Sequence, residues 1–192
     1  MTSDGKKNDR DKCPSDELLK TIDLWLKWDQ CEETRKQIEQ LKAESKWDDL
    51  DACMTHRIHF GTAGLRSKMG AGFALMNELT VIQATQGLIR YMQIAFKDES
   101  KPLSTVIGFD ARHQSHQFAR LAAALFAHEQ FRVYLFDSIT VPTPMISFAV
   151  KKLKCQAGIV VTASHNPKED NGYKVYWNNG AQIISPVDVK IA

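Results

Sequence analysis

A short run of small and β-branched residues, Ala157–Val161, constrains the fold of this chain more than any other stretch. A run of this kind, apolar on both faces, is typical of a strand that is buried on both sides of a sheet. A polar segment that contains Pro167 and Gly172 follows, and it is predicted to turn. Residues 173–177 then alternate between two faces, which predicts a second, half-buried strand.

The predicted turn carries a serine, Ser164, at the end of the buried strand. A serine hydroxyl there is a candidate nucleophile or phosphate carrier, because loops that leave rigid strands often build sites. The neighbouring His165 could exchange protons near neutral pH, and Lys174 could neutralise an anion or act as a base. The residues alone favour the alternative of an ordinary surface loop with a solvated serine and histidine.

Helical and strand patterns alternate through the rest of the chain, which indicates an α/β domain. We expect a mixed, mostly parallel sheet that is sandwiched by helices. In such sheets ligands bind beyond the carboxyl ends of the strands. Arg112 and Ser164 both follow predicted strand ends, and we therefore expect them to open on one cleft. Helices are predicted at 77–96, around 118–125 and at 145–153, and strands at 105–109 and 131–136.

The first 57 residues differ in character from the rest and are predicted to form a disordered tail and a helical extension. Ser15 is expected to cap the first helix, and further helices are expected at 32–46 and 47–54. Because these helices are mostly charged, we expect them to pack against a larger domain instead of forming their own core. The larger domain is predicted to span residues 58–192.

Composition limits the class of protein. A net charge of +2 gives no electrostatic case for binding nucleic acid or a membrane surface. The sequence contains no apolar run of membrane-spanning length, and the charged N-terminus is unlike a secretory signal peptide. The four cysteines are scattered without a C-x-x-C pair, which indicates free thiols in a reducing compartment. We expect a cytoplasmic protein.

A second candidate site is the glycine-rich segment F-G-T-A-G-L-R-S at residues 60–67, which continues to Gly72. Glycines let a backbone approach a ligand closely, and successive N–H groups in such turns can bind an anion. Arg66 could bind a phosphate with two parallel hydrogen bonds. Glycine-rich turns often serve packing only, so the segment is a weak indication by itself.

Four motifs together resemble those of the α-D-phosphohexomutase superfamily, and their residues are closely similar to those of its eukaryotic phosphopentomutase/phosphoglucomutase-2 branch. They are F-G-T-A-G-L-R-S, G-F-D-A-R at residues 108–112, V-P-T-P at residues 141–144, and T-A-S-H-N-P at residues 162–167 followed by N-G-Y-K. The resemblance covers residues 58–187 well, and the helical extension resembles this branch too. It implies that residues 58–192 form the first of the family's four domains.

The resemblance implies an enzyme that interconverts sugar 1-phosphates and 5- or 6-phosphates. Ser164 would be phosphorylated and would exchange its phosphoryl group through a sugar bisphosphate, with glucose 1,6-bisphosphate or a related compound as activator. His165 and Lys174 would complete the catalytic group. Mg²⁺ would be bound by the phosphate on Ser164. The residues implied to bind substrate or phosphate are Thr62, Arg66, Arg112 and Asn166.

The sequence departs from the family in one respect. The family's aspartate-rich magnesium loop, its sugar-recognition loop and its terminal phosphate-binding loop have no counterpart in these 192 residues. We therefore expect a partial form that is inactive alone and needs the remaining domains as partners. Two alternatives stay open, namely a glucose 1,6-bisphosphate synthase and a non-catalytic fragment that binds phosphosugars.

Overall fold

The computed structural model describes residues 13–61 and 64–192. The predicted disordered tail, apart from Cys13, lies outside the described residues, and so does the predicted phosphate-binding residue Thr62. The described residues form five strands and seven helices. The strands are β1 (Leu65–Lys68), β2 (Ser104–Phe109), β3 (Arg132–Leu135), β4 (Ala157–Val161) and β5 (Asp170–Trp177). The helices are α1 (Asp16–Trp28), α2 (Glu32–Ala43), α3 (Trp47–Met54), α4 (Glu78–Ala95), α5 (Ser115–His128), α6 (Thr143–Leu153) and α7 (Val187–Ile191).

The five strands form one sheet in the order β1-β5-β4-β2-β3. β4 pairs in parallel with β2, and β2 pairs in parallel with β3. β5 is antiparallel to both of its neighbours, so it alone runs against the other four strands. The predicted fold class, a mixed and mostly parallel sheet between helices, is confirmed.

Helices cover both faces of the sheet. Ile159 and Val161 of β4 point into the larger core, which α4, α5 and α7 close. Val160, between them, points to the opposite face, where α6 packs with Ile146 and Val150. Successive residues of a strand face opposite sides, so the uninterrupted apolar run of β4 is what a doubly covered strand requires.

The prediction for β5 was partly wrong. Tyr173 and Val175 are buried as expected, but Tyr176 on the other face is buried too. The reason is that α6 covers this face, since Tyr176 belongs to the same apolar cluster as Ile146 and Val150. β5 is therefore an interior strand that is covered on both sides, and only Lys174 and the strand's two end residues are half-buried.

The N-terminal helices begin where the sequence indicates. Ser15 caps α1, and its side chain accepts a hydrogen bond from the backbone N–H of Leu18 at 3.1 Å. α2 ends at Ala43, three residues before the predicted end, and Ser45 just beyond it adopts a left-handed conformation with φ 56°. No helix in the described part of the chain is both long enough and apolar enough to cross a membrane.

Candidate active site

Ser164 follows the carboxyl end of β4 in an unusual backbone conformation. Its φ is 59°, in the left-handed region that residues other than glycine seldom adopt. The side chain is exposed, whereas Thr162 and Ala163 before it are buried. The backbone N–H of Ser164 donates to the Thr162 Oγ1 at 2.9 Å. Strained residues persist only where their surroundings hold them, and they are concentrated at functional sites.

Asp110, just after β2, is the acceptor beneath this turn. Its Oδ2 accepts a hydrogen bond from the Thr162 hydroxyl at 2.5 Å, so the Ser164 N–H is linked through Thr162 to a carboxylate. Its Oδ1 accepts bonds from the Ser115 hydroxyl at 2.8 Å and from the Arg112 backbone N–H at 3.0 Å. The G-F-D-A-R motif contains Asp110 but predicts no role for it, because its role as an acceptor depends on Thr162, which is 52 residues away in the chain.

Arg112 holds the backbone of the serine loop, which we define as residues 164–169. Its Nη2 donates to the carbonyl oxygens of Ser164 and Asn166, both at 2.7 Å. Its Nη1 donates to the carbonyl of Pro167 at 2.6 Å and to that of Asp170 at 3.1 Å. Each of the four terminal N–H groups therefore has a backbone partner. Arg112 and Ser164 do share one cleft, as predicted, but in this arrangement the guanidinium binds the loop and has no terminal N–H left for a phosphate.

The position of the Arg112 side chain is set by its own ion pair. Its Nε lies 3.2 Å from Asp110 Oδ2, and its side chain is only 12% exposed. A planar guanidinium with this many fixed partners is an effective cross-link, because all its hydrogen bonds share one rigid geometry. The serine loop is thus exposed at its side chains but anchored along its backbone.

Arg66 approaches the serine loop from β1, about a hundred residues away in the chain. Its Nη1 donates to the side-chain oxygen of Asn166 at 3.2 Å, and the Asn166 amide donates in turn to Asp170 Oδ2 at 2.9 Å. The Arg66 side chain is otherwise exposed. It can therefore offer its remaining donors to an anion beside the loop.

Lys174 lies on the same face of the sheet as Arg66. Arg66 pairs with Gly172, and Lys174 is two residues further along β5, so the two cations share that face. Burial lowers the pKa of Lys174, the positive charge of Arg66 lowers this pKa further, and the carboxylate of Asp110 opposes the shift. His165 is exposed next to Ser164.

The described residues around Ser164 line an open groove of about 400 Å³. Ser164 and Asn166 both line this groove, Arg66 reaches Asn166, and Lys174 lies near Arg66 and Asp110. No three His, Cys, Asp or Glu side chains among the described residues are grouped so as to hold a metal ion. The groove is lined by Asp110, Ala111, Arg112, His113, Ser164, Asn166 and Lys168.

Comparison with known proteins identifies relatives of this site-bearing domain. Residues 57–192 match the model of the phosphoglucomutase/phosphomannomutase alpha/beta/alpha domain I. The chain is 53% identical over 170 residues to a phosphopentomutase of Mus musculus. This alignment covers 85% of this chain and 27% of that protein. It is 49% identical over 181 residues to the glucose 1,6-bisphosphate synthase of Homo sapiens, and this alignment covers 91% of this chain and 29% of that protein.

A solved structure has the same fold. The open form of parafusin, a phosphoglucomutase from Paramecium, aligns with a TM-score of 0.57 and 26% identity over 71% of this chain and 25% of that one. The chain thus spans less than a third of the length of the relatives named here. The family match covers well over half of the chain, including both β1 with Arg66 and the serine loop. This chain therefore belongs to the phosphoglucomutase/phosphomannomutase family.

Proposed function

We propose that this chain is the serine-bearing domain of a phosphopentomutase/phosphoglucomutase, an enzyme that interconverts sugar 1-phosphates and 5- or 6-phosphates. The observation that carries the proposal is the state of Ser164. Ser164 is exposed, and its backbone is fixed in a left-handed turn. Arg66 of β1 reaches Asn166 in the same loop, and Lys174 of β5 lies close enough to Arg66 and Asp110 for their charges to shift its pKa. A residue that carries a phosphate needs this combination of access, fixed position and neutralising charge.

The proposed reaction has two phosphoryl transfers. The bond between the Ser164 oxygen and phosphorus breaks while a free hydroxyl oxygen of a sugar 1-phosphate bonds to phosphorus. The sugar hydroxyl gives its proton to a base, and the released serine oxygen takes up a proton. The product is a sugar bisphosphate and a free serine. After the bisphosphate reorients, the Ser164 hydroxyl loses its proton and its oxygen bonds to the phosphorus of the 1-phosphate. The bond from that phosphorus to the sugar oxygen breaks and this oxygen takes up a proton, which regenerates the phosphoserine and releases the sugar 5- or 6-phosphate. Catalysis of such transfers depends mainly on alignment and on charge neutralisation.

The proposed roles of the side chains follow from their positions. Arg66 binds the non-bridging phosphate oxygens, and Asn166 orients Arg66 through the bond at 3.2 Å. Lys174 is a charge partner or a proton acceptor, because its lowered pKa makes the neutral amine more accessible than in a solvated lysine. His165 assists proton transfer from its exposed position beside the serine. Thr62 stays a predicted phosphate-binding residue.

Mg²⁺, which the family resemblance implies, does not fit the described residues of this chain alone. Mg²⁺ prefers about six oxygen ligands, and one phosphate oxygen at Ser164 would supply a single ligand. Asp110, the carboxylate that lines the groove, is already paired with Arg112 and hydrogen-bonded to Thr162 and Ser115. No described group of acidic residues completes a site. We propose that carboxylates outside this sequence supply the other ligands.

The same argument extends to the whole protein. The mouse and human relatives are more than three times as long as the matched region. We propose that the remaining family domains bind the sugar and the metal, and that these 192 residues are inactive without them. A sugar bisphosphate such as glucose 1,6-bisphosphate is the proposed activator. We also propose a cytoplasmic location, which the four free cysteines support.

A second candidate function is glucose 1,6-bisphosphate synthesis, which the 49% identity to the human synthase favours. In that case the phosphoserine would receive its phosphate from a glycolytic acyl phosphate. A third possibility is a fragment that binds phosphosugars without turnover. All three use the same serine loop, and they differ in what donates and receives the phosphoryl group.

Phosphosite mapping and product analysis separate these functions. This chain and a longer form that includes the remaining domains are incubated with ribose 1-phosphate, Mg²⁺ and glucose 1,6-bisphosphate. We expect the longer form to produce ribose 5-phosphate and to carry phosphate on Ser164, and this chain to be inactive. Bisphosphate synthesis from an acyl phosphate without mutase turnover would select the second function.

Serine substitutions provide the control for this experiment. Ser164→Ala should abolish phosphorylation of the longer form, whereas Ser138→Ala, which changes an exposed serine after β3, should leave it intact. Phosphate retained in Ser164→Ala would remove Ser164 from its proposed role. Turnover by this chain alone would contradict the proposal that it is a partial form.

A further inference from the structure

The loop between β1 and α4, residues 69–77, is enclosed by the N-terminal helices. Its central side chain, Phe73, is 3% exposed. The Phe73 ring meets the Trp25 ring edge to face at a centroid distance of 5.0 Å and the Trp28 ring at 6.2 Å. The guanidinium of Arg57 lies 4.8 Å from the centre of the same ring. Three groups from the extension and its end thus converge on one side chain of this loop.

Backbone contacts from α2 and α3 reinforce this packing. The Ala71 N–H donates to the Gln37 side-chain oxygen at 3.2 Å, and the Ala74 N–H donates to the Cys53 carbonyl at 3.0 Å. Gly72, with φ 111°, lies so close to α3 that an added Cβ would be 2.4 Å from the Cys53 carbonyl oxygen. The three helices of the extension together therefore contact the four consecutive loop residues 71–74.

The same loop is connected to the candidate active site at both of its ends. Met69 directly follows β1, the strand that carries Arg66, and the Met76 N–H donates to the Lys68 carbonyl at 2.9 Å. The Met69 N–H donates to the carbonyl of Glu169 at 2.8 Å, at the end of the serine loop. A displacement of residues 69–77 would therefore move β1 against the serine loop.

We propose that the N-terminal extension is a positioning element for the active site, with Phe73 as the side chain through which α1–α3 fix β1 and hence Arg66. The proposal rests on the proposed function in one respect, namely that Arg66 binds the phosphate. Phe73 touches no substrate in this scheme and acts only through β1. The competing explanation is that the extension adds stability to the fold without affecting the site.

Substitutions at the outer edge of this contact distinguish the two explanations without unfolding the core. Trp28 is 41% exposed, so Trp28→Ala removes one ring from Phe73 at a tolerable site. Leu24→Ala is the matched control on the same helix, because Leu24 is 37% exposed and lies outside the Phe73 aromatic cluster. Trp28→Phe keeps an aromatic ring and is the conservative variant. Gln37→Ala removes the hydrogen bond to Ala71 and is a second, independent change.

The measurement is NMR on the 192-residue chain, with inorganic phosphate as the probe. We expect Trp28→Ala and Gln37→Ala to raise the Kd for phosphate, read at the Arg66 side-chain resonance, by about threefold to tenfold. We also expect faster hydrogen exchange at the Met69 and Met76 amides in these two variants, with unchanged exchange in β2 and β3. Trp28→Phe should recover most of the affinity, and Leu24→Ala should match the unchanged chain.

The outcomes separate this proposal from the proposed function. If the unchanged chain binds phosphate at Arg66 and both variants bind it equally well with unchanged exchange at Met69 and Met76, the positioning role is wrong. If the unchanged chain shows no phosphate shift at Arg66, the proposed phosphate contact is wrong, and the exchange measurement alone decides the positioning role.

Discussion

Two loops that follow strands meet at the candidate active site, and they are held in opposite ways. The serine loop, residues 164–169, is exposed at most of its side chains and is tied through its carbonyl oxygens to Arg112. The loop at residues 69–77 turns Phe73 inward and is held by aromatic packing against the N-terminal helices. The two loops are joined by one hydrogen bond, from Met69 to Glu169.

The difference reflects what each loop presents to solvent. The serine loop leaves most of its side chains exposed, so burial of these side chains cannot fix it, and its backbone is instead held by the Arg112 guanidinium and the Asp110 carboxylate. A loop that only supports its neighbour can bury an aromatic ring, because burial supplies a larger, non-directional stabilisation. We therefore expect the first loop to respond to the loss of charge and the second to respond to the loss of apolar volume.

The largest effect is expected where the buried ring is removed. Phe73→Ala should lower the free energy of unfolding by about 3–5 kcal/mol, since truncating a buried phenylalanine loses apolar burial and leaves a cavity. Denaturant unfolding measures the change. Phe148→Ala, at a phenylalanine that is 62% exposed on α6, is the matched control and should change stability by less than about 0.5 kcal/mol. Equal losses in the two variants would contradict the account of this loop.

A smaller loss of stability, but a larger local opening, is expected at the serine loop. Arg112→Met should cost about 2–4 kcal/mol, because four carbonyls lose a charged donor and Asp110 loses its ion pair. Trypsin should cleave after Lys168 much faster in this variant, while the amides of Gly70, Ala74 and Met76, whose acceptors lie outside the serine loop, stay protected. Arg120→Met is the control, since Arg120 is 59% exposed and lies 3.9 Å from Asp137. Unchanged cleavage after Lys168 would show that Arg112 does not hold the loop.

The titration of Lys174 tests, with a smaller expected effect, whether Lys174 and Arg66 lie close together near the serine loop. We expect NMR titration to show a pKa below the ordinary lysine value, because burial and the charge of Arg66 both disfavour the ammonium form. Arg66→Gln should raise this pKa, and Arg90→Gln, which changes an exposed arginine on α4, should leave it unchanged. An ordinary or raised pKa in the unchanged chain would place Lys174 outside the cationic site.

The same shift sets the sign of a stability effect. The folded state holds the Lys174 proton less tightly than the unfolded state does, so between the folded pKa and the ordinary value of 10.5 the unfolded chain binds more protons. The contribution of Lys174 to stability therefore rises with pH across that window. In Lys174→Met this part of the pH dependence should disappear.

Local sequence signals were sufficient for much of the fold. The run Ala157–Val161 is uniformly apolar because both faces of β4 are covered, and Ser15 begins α1 because its hydroxyl accepts the Leu18 N–H. β1 was not predicted, because it has four residues and its outward pair, Arg66 and Lys68, is charged and exposed. The five-residue helix α7 was missed for the same reason of length.

The sequence placed several candidate residues near one another, but it did not predict the contacts that they make. Family motifs named Ser164, Arg66, Arg112 and Lys174, and the fold brings their chain segments together. The hydrogen bonds from Arg112 to the serine loop could not be predicted from the sequence, because their acceptors are backbone carbonyls, which every residue type has. Asp110 was missed as an acceptor because nothing in a linear motif shows that Thr162 and Ser115 lie above it.

The most direct test of the central claim, that a phosphate on Ser164 is held by Arg66 and Lys174, is a ³¹P NMR titration of the chain with phosphoserine installed at position 164 during synthesis. We predict a second phosphate pKa clearly below the ordinary value of about 6, because both cations favour the dianion. Arg66→Gln should move this pKa back toward the ordinary value. A pKa that equals the value of a short phosphoserine peptide and does not respond to Arg66→Gln would contradict the account.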